Sequence, residues 1–199
     1  DEAGEDISST KLSNTIKNYK SDLCSAVVGN KIYVFGGNGY EDVDIFDVET
    51  ETIANLSGIF SKSMGRNMVC EAIGDKIYLI GGVIGSSYSK EIFIFDTVTE
   101  TSTTSEKTLY LEMSGMASVV FENKIYYFGG KSGSLLKIVQ NYDPEKQYIG
   151  GGGASIPEPR SNMSAALFGS KVYLFGGYND QYGNSSNTIM CYDIDTNTA

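Results

Sequence analysis

Apolar runs of four to seven residues recur along the whole chain. They are rich in β-branched and aromatic residues and are bounded by Gly, Asn, Asp or Ser. Short runs of this composition predict strands. No window carries a convincing helical period. Four of the runs align without a gap: Lys31–Gly37 (KIYVFGG), Lys76–Gly82 (KIYLIGG), Lys124–Gly130 (KIYYFGG) and Lys171–Gly177 (KVYLFGG). Their lysines are 45, 48 and 47 positions apart. A small-and-apolar run precedes each: Ser25–Val28, Val69–Ile73, Ala117–Phe121 and Ser164–Phe168. The dipeptides between, Gly29-Asn30, Gly74-Asp75, Glu122-Asn123 and Gly169-Ser170, predict two-residue hairpin turns.

A third run in each unit closes on an aromatic followed by Asp: Phe46-Asp47, Phe95-Asp96, Tyr142-Asp143 and Tyr192-Asp193. A turn such as Val48–Thr52 then leads to a short fourth run around Ile53–Leu56. The unit is four antiparallel strands in about 47 residues. That length suits one blade of a β-propeller, roughly 40–50 residues. The predicted fold class is all-β, a propeller with four four-stranded antiparallel blades in this chain.

The Gly-Gly pair closing the second strand, the Tyr two residues after the Lys and the aromatic-Asp pair resemble the kelch repeat. The resemblance covers essentially the whole chain, four times over. It implies a kelch propeller and leaves the role open, because one fold carries many functions. The pattern departs from the family in one respect. A kelch unit has a Trp about six residues after the aromatic-Asp pair, where this chain has Ile53, Ser102 and Ile149 and no Trp at all. Ile substitutes in part for a side chain that packs between blades, whereas Ser102 does not. The second interface is therefore expected to be weaker or differently packed.

The units divide the chain into blades at 20–60, 61–112, 113–158 and 159–199, the last incomplete. Asp1 lies 46 residues before Asp47, and residues 1–12 read as the turn and outer strand of a preceding blade. A strand near Ile7–Leu12 would either complete the last blade and close a four-bladed ring, or belong to a larger propeller cut at both ends. The larger propeller is the favoured reading: the turn is represented at both ends, no Met starts the chain, and kelch rings commonly have more than four blades.

The charge is −10, from 15 basic and 25 acidic residues, which argues against nucleic-acid and anionic-membrane surfaces. No apolar run is long enough for membrane insertion, and the acidic start DEAGEDISST is no signal peptide. The absence of His removes His-ligated metals, catalytic triads and imidazole chemistry. Cys24, Cys70 and Cys191 lack metal spacing and read as buried thiols. No metal or other cofactor is expected. Gly150–Gly153 lacks the Lys-Ser/Thr of a phosphate loop and reads as a flexible blade connector. Asp193–Asn197 resembles the start of a calcium loop, but it falls on the repeat's own turn. Gly36-Gly37 and its copies let backbones approach near the axis. The repeated Tyr33, Tyr78, Tyr126 and Tyr173 read as blade packing.

In kelch proteins that bind peptides, three loop positions recur on one face, and the resemblance places them here. The first precedes the inner strand: Lys20-Ser21, Gly65-Arg66, Met113-Ser114 and Arg160-Ser161. The second follows Gly-Gly: Asn38, Val83, Lys131 and Tyr178. The third precedes the aromatic-Asp strand: Glu41-Asp42, Lys90-Glu91, Lys137-Ile138 and Asn187-Thr188. The candidates for a binding face are Arg66, Arg160, Ser161, Tyr178, Asn38, Lys90, Glu41 and Asn187. Rigid guanidinium and aromatic side chains give much contact per rotamer lost. Arg66 and Arg160 are expected together, in exposed loops near the axis. The reading is a non-catalytic module that binds a protein or peptide, an acidic one if the two arginines converge, or a small anionic ligand. Part of a kelch-type enzyme acting on sugars or sugar acids, and an architectural spacer of a cell-surface protein, are the alternatives.

Overall fold

The computed structural model describes residues 9–37, 39–179 and 184–199. Each aligned run is a middle strand, paired antiparallel with the run before it through the predicted turn. Blade 1 comprises β1 (Cys24–Val28), β2 (Lys31–Phe35), β3 (Val43–Asp47) and β4 (Thr52–Leu56), paired in that order. Blade 2 comprises β5 (Val69–Ile73), β6 (Lys76–Ile80), β9 (Ile92–Asp96) and β10 (Thr101–Thr104). A small hairpin of β7 (Val83–Ile84) and β8 (Ser87–Tyr88) rises between its middle strands. Blade 3 repeats this with β11 (Ala117–Phe121), β12 (Lys124–Phe128), β15 (Ile138–Asp143) and β16 (Tyr148–Ser155). Its small hairpin is β13 (Lys131–Ser132) with β14 (Ser134–Leu135). Blade 4 shows β17 (Ser164–Phe168), β18 (Lys171–Phe175) and β21 (Ile189–Asp193) among the described residues. Its hairpin is β19 (Tyr178–Asn179) with β20 (Asn184–Ser185). The described residues contain no helix, hence none long and apolar enough to cross a membrane.

The aspartate of each aromatic-Asp pair makes the turn that follows it. One oxygen of Asp47 accepts the N–H groups of Glu49 and Thr50, each at 3.0 Å. Asp96 does the same for Val98 and Thr99, and Asp193 for Asp195 and Thr196. The calcium-like run at Asp193 is thus used within the turn.

Alternation along the middle strands sends one set of side chains forward and the next set back. Tyr33 and Phe35 of blade 1 meet Ile77, Leu79, Phe93 and Phe95 of blade 2. Tyr78 and Ile80 meet Ile125, Tyr127 and Tyr142 of blade 3. Phe128 and Val139 meet Val172, Leu174, Met190 and Tyr192 of blade 4. An edge-on aromatic pair recurs at each junction: Phe35–Phe95 at 5.5 Å, Tyr78–Tyr142 at 5.8 Å and Phe128–Tyr192 at 5.5 Å. Such pairs contribute about 0.5–1.5 kcal/mol beyond the area they bury. Tyr33 and Tyr78 are buried packing residues, Tyr126 packs half-buried into the third junction, and Tyr173 is half-buried on the free side of blade 4.

Two expectations are revised. Gly150–Gly153 is not a connector but the centre of β16. A Cβ on Gly150 would lie 2.8 Å from the Asn141 Oδ1, and Gly151 (φ 83°) sits at the bulge where β16 pairs with β15. The strand needs glycine because its partner's side chains and backbone occupy the space. The Ser102 hydroxyl donates to the Ile59 carbonyl, a hydrogen bond at the blade 1–blade 2 junction. Of the segment read as an outer strand, residues 1–8 lie outside the described residues and Ser9–Leu12 are not in a strand.

Candidate binding site

The innermost strands β1, β5, β11 and β17 stand side by side around one axis. Just before them, each blade places one residue in the left-handed backbone region: Asp22 (φ 57°), Asn67 (54°), Gly115 (65°) and Asn162 (54°). These residues form a staircase between blades. The Asn67 N–H donates to the Asp22 carbonyl (2.9 Å), Gly115 to Asn67 (3.0 Å) and Asn162 to Gly115 (2.8 Å). Asp, Asn and Gly are the residues that adopt this backbone region at least cost.

The residue before each step faces the mouth of the axis. These residues, Arg66, Ser114 and Ser161, exchange paired backbone hydrogen bonds with Val83, Lys131 and Tyr178. In blades 2 to 4 the first and second loop positions are therefore one structural unit, fixed by two bonds in each. Between the blades they line an axial cavity of about 190 Å³, with Arg66, Lys131, Ser114, Ser161, Asn67 and Asn162 among its walls. Arg66 is exposed, Lys131 is half-buried, and the two serines are buried. No carboxylate is among the described residues lining this cavity. Two cations, two hydroxyls and two amides line it, each able to donate a hydrogen bond.

Arg160 is not in this mouth. It is buried, with 0% of its surface exposed, in contrast to the exposed loop residue expected. Its guanidinium donates to the Gly176 carbonyl (3.1 Å) and to Glu158 Oε2 (2.7 Å). The same Glu158 oxygen accepts from the buried Asn179 at 2.9 Å. Arg160 thus ties the connector into blade 4 to the loop after β18. It aligns with Lys20, Gly65 and Met113, whereas Arg66 aligns with Ser21, Ser114 and Ser161. The two arginines are one repeat position apart, and one residue along an extended chain reverses the side chain's direction.

Tyr178 is 37% exposed and stands beside Ser161 at the mouth. Glu41, on the rim between blades 1 and 2, accepts from Ser63 of blade 2. Arg66 and Ser63 both line a neighbouring depression of about 270 Å³. Lys90 is exposed, in a shallow depression of about 290 Å³ that also contains Glu91 and Lys62, themselves paired at 2.9 Å. Asn187 is exposed, and it lines none of these three depressions. Asn38 lies outside the described residues. Lys131 and Ser114 were legible as loop positions without being singled out. Asn67 and Asn162 went unnoticed; their signal is the Asp/Asn/Gly that recurs one residue after the first loop position.

At the opposite end of the series, Lys20 points into the blade body. Its Nζ lies 3.1 Å from Asp42 and 2.8 Å from Asp44, with its side chain fully buried. Asn55 donates to both carboxylates, and Asn18 donates to Asp42. Burial pushes the Asp42 carboxyl up, but the hydrogen bonds from Lys20 and Asn55 together hold it below the ordinary carboxylate range. With the Lys17 N–H donating to Asp44, this cluster fixes residues 17–20 against blade 1.

A family model described as the KLHDC2/KLHL20/DRC7 Kelch-repeats domain matches residues 5–150, and one described as the Kelch motif matches residues 159–198. The chain belongs to the kelch-repeat family. This kelch chain is 30% identical to human Kelch-like protein 23 over 187 residues, which are 87% of this chain and 31% of that protein. The mouse Kelch-like protein 23 is 29% identical over 184 residues, with the same shares. An N-(sulfonatooxy)prop-2-enimidothioate sulfolyase of Thlaspi arvense is 35% identical over 123 residues, 54% of this chain and 34% of that protein. The kelch chain spans about a third of the length of the curated relatives it matches.

Proposed function

We propose that this kelch propeller is a non-catalytic binding module that receives an acidic segment of a protein or peptide at the axial mouth. The observation that carries the reading is the cavity lined by Arg66 and Lys131, from two blades, and by Ser114 and Ser161, with no carboxylate among the described residues of its lining. A guanidinium and an ammonium lining one cavity make a local positive site on an acidic chain, which favours carboxylates. Similarity to Kelch-like protein 23 supports a protein-interaction role for the fold. Tyr178 adds a partly exposed ring at the rim, and Glu41, Lys90 and Asn187 stand farther out on the loops. The test is a calorimetric or fluorescence-polarisation titration with a panel of acidic, neutral and basic peptides. The reading requires that acidic peptides bind, that salt weakens them, and that Arg66→Ala and Lys131→Ala each cost about 1–3 kcal/mol of binding. Equal binding of all three peptide classes overturns it.

Similarity to the sulfolyase supports a second reading, in which the same cavity holds a small anionic molecule. An inorganic sulfate titration separates the two: competition with the peptide at millimolar sulfate places both ligands in one cavity.

A further inference from the structure

Two of the three cysteines come together across a blade junction. Cys24 is the first residue of β1 and Cys70 the second of β5, the innermost strands of blades 1 and 2. Both are half-buried, and both pack against the apolar cluster that closes the blade 1–blade 2 junction. Alternation along the strands accounts for this. On β1, Cys24, Ala26 and Val28 belong to that cluster. On β5, Cys70 and Ala72 belong to it, whereas Val69 and Ile73 belong to the junction with blade 3.

The staircase sets the level of the two thiols. The Asn67 N–H donates to the Asp22 carbonyl at 2.9 Å, three residues before Cys70 and two before Cys24. The cysteines therefore lie directly after the point where the two chains share a main-chain hydrogen bond. The next junction shows the reach of a side chain at this level. Ser118 holds in blade 3 the place of Cys70, three residues after Gly115. Its hydroxyl crosses back to Glu71 of blade 2 at 2.6 Å. In blade 1 the place of Glu71 is taken by Ala26, which offers Cys70 no polar partner, and Cys24 stands two residues before it. Burial raises the Cys70 thiol well above the ordinary thiol value, and the facing Cys24 thiol raises it further. At the blade 3–blade 4 junction the same places hold Ala117, Val119 and Ala165. Cys191 lies apart from the pair, on β21 opposite Tyr173. Neither Cys24 nor Cys70 lines the axial cavity.

We propose that Cys24 and Cys70 form a redox site, at which a peroxide converts two thiols into a disulfide joining the innermost strands of blades 1 and 2. The Cys24 thiolate attacks one peroxide oxygen, the O–O bond breaks, and the departing hydroxide takes up the Cys24 proton as water. The Cys70 sulfur then attacks the resulting sulfenic acid at sulfur. The S–O bond breaks, and the second hydroxide leaves with the Cys70 proton as water. Two thiols are oxidised and one peroxide is reduced to two waters. The order of attack follows from Cys70 holding its proton more tightly. The bond encloses β2, β3, β4 and the connector into blade 2, a long loop of the kind whose closure restricts the unfolded chain most.

Thiol counting and peptide mapping of the unaltered chain test this. The reduced, folded chain is treated with hydrogen peroxide in buffer without denaturant. It is expected to lose two of its three thiols, with the loss of two hydrogen atoms in mass and no covalent dimer. Trypsin without reductant is expected to release residues 21–31 joined to residues 67–76, leaving Cys191 free to alkylate. The urea midpoint is expected to rise on oxidation and to return with reductant. Cys191→Ser is expected to behave as the unaltered chain does, and Cys24→Ser to show no peroxide-dependent rise. Cys70→Ser gives the same reading should Cys24→Ser fail to fold. Thiols that stay free in the folded chain overturn the proposal, as does a link that forms only in urea. A link to Cys191, sulfinic acid at either cysteine in place of the link, or a midpoint that falls on oxidation overturns it as well.

Discussion

Arg66 and Arg160 stand one repeat position apart, and that single step separates a cavity wall from the body of a blade. Arg66 precedes Lys76 by 10 residues, and Arg160 precedes Lys171 by 11. Opposite phenotypes follow. Arg66→Ala should change stability by no more than about 0.5 kcal/mol, while weakening an acidic ligand. Arg160→Ala should lower stability by about 1.5–3 kcal/mol, the scale for losing charge-assisted hydrogen bonds, because the Gly176 carbonyl and Glu158 lose their partner. Urea melts of both variants beside one binding titration make the comparison, and equal stability losses would sink it.

Lys20 neutralises two buried carboxylates. Lys20→Met should cost about 3–5 kcal/mol, since it leaves Asp42 and Asp44 charged and unpaired in the blade. Adding Asp42→Asn and Asp44→Asn should recover much of that loss. The Asp42 carboxyl is held below its ordinary value, so its contribution is present above the unfolded pKa of about 3.9 and lost as pH falls through the lower, folded value. A urea-midpoint series from pH 7 to pH 2 should show that loss in the unaltered chain and not in the triple variant.

Glu71 behaves in the opposite sense. It sits between the innermost strands β5 and β11, where burial raises its pKa and the Ser118 hydroxyl, donating at 2.6 Å, offsets only part of the rise. A carboxyl whose folded value is raised binds its proton more tightly in the folded state. Stability is then full below the unfolded pKa of about 4.3 and declines as pH rises through the folded value. Glu71→Gln keeps an acceptor for Ser118 and should remove the decline. The variant should therefore gain on the unaltered chain between pH 4 and pH 7, and a pH-independent difference would count against this assignment.

Gly129 and Gly176 share a backbone conformation (φ 61° and 62°) and differ in what faces them. Gly176→Ala should cost about 1–2 kcal/mol, the penalty for a side chain in the left-handed region. Gly129→Ala should cost clearly more, because its methyl would stand 2.3 Å from the Arg160 carbonyl. The excess in a paired denaturation experiment measures how closely blades 3 and 4 approach. Equal losses would show that the junction yields.

Most of the fold was legible because the same sentence of residues is written four times. Lys, Tyr and Gly-Gly recur at fixed offsets and the aromatic-Asp pair follows each of them after a loop of varying length, and the Tyr, Gly-Gly and Asp have physical tasks: junction packing, close approach and turn capping. β16 was misread because the signal for it is not in its own residues. Gly150 and Gly151 are strand residues on account of Asn141 and the Val139 backbone, which only the folded sheet brings near. The site was half legible. Residue type nominated Arg66 and Arg160 alike, whereas direction depends on counting from the strand, and the loop before a strand has no hydrophobic period to count by. Lys131 carried no distinctive type, and its place opposite Ser114 comes from a backbone pairing outside the main strands.

The staircase through Asp22, Asn67, Gly115 and Asn162 consists of main-chain groups alone. Cohesion around the axis therefore asks only that one residue per blade tolerate a left-handed turn. The neighbours that look into the cavity, Arg66, Ser114 and Ser161, contribute none of their side-chain atoms to it. Exchanging those side chains takes no atom away from the staircase, so the groups presented at the mouth and the bonds that run from blade to blade are separate parts of the same loops.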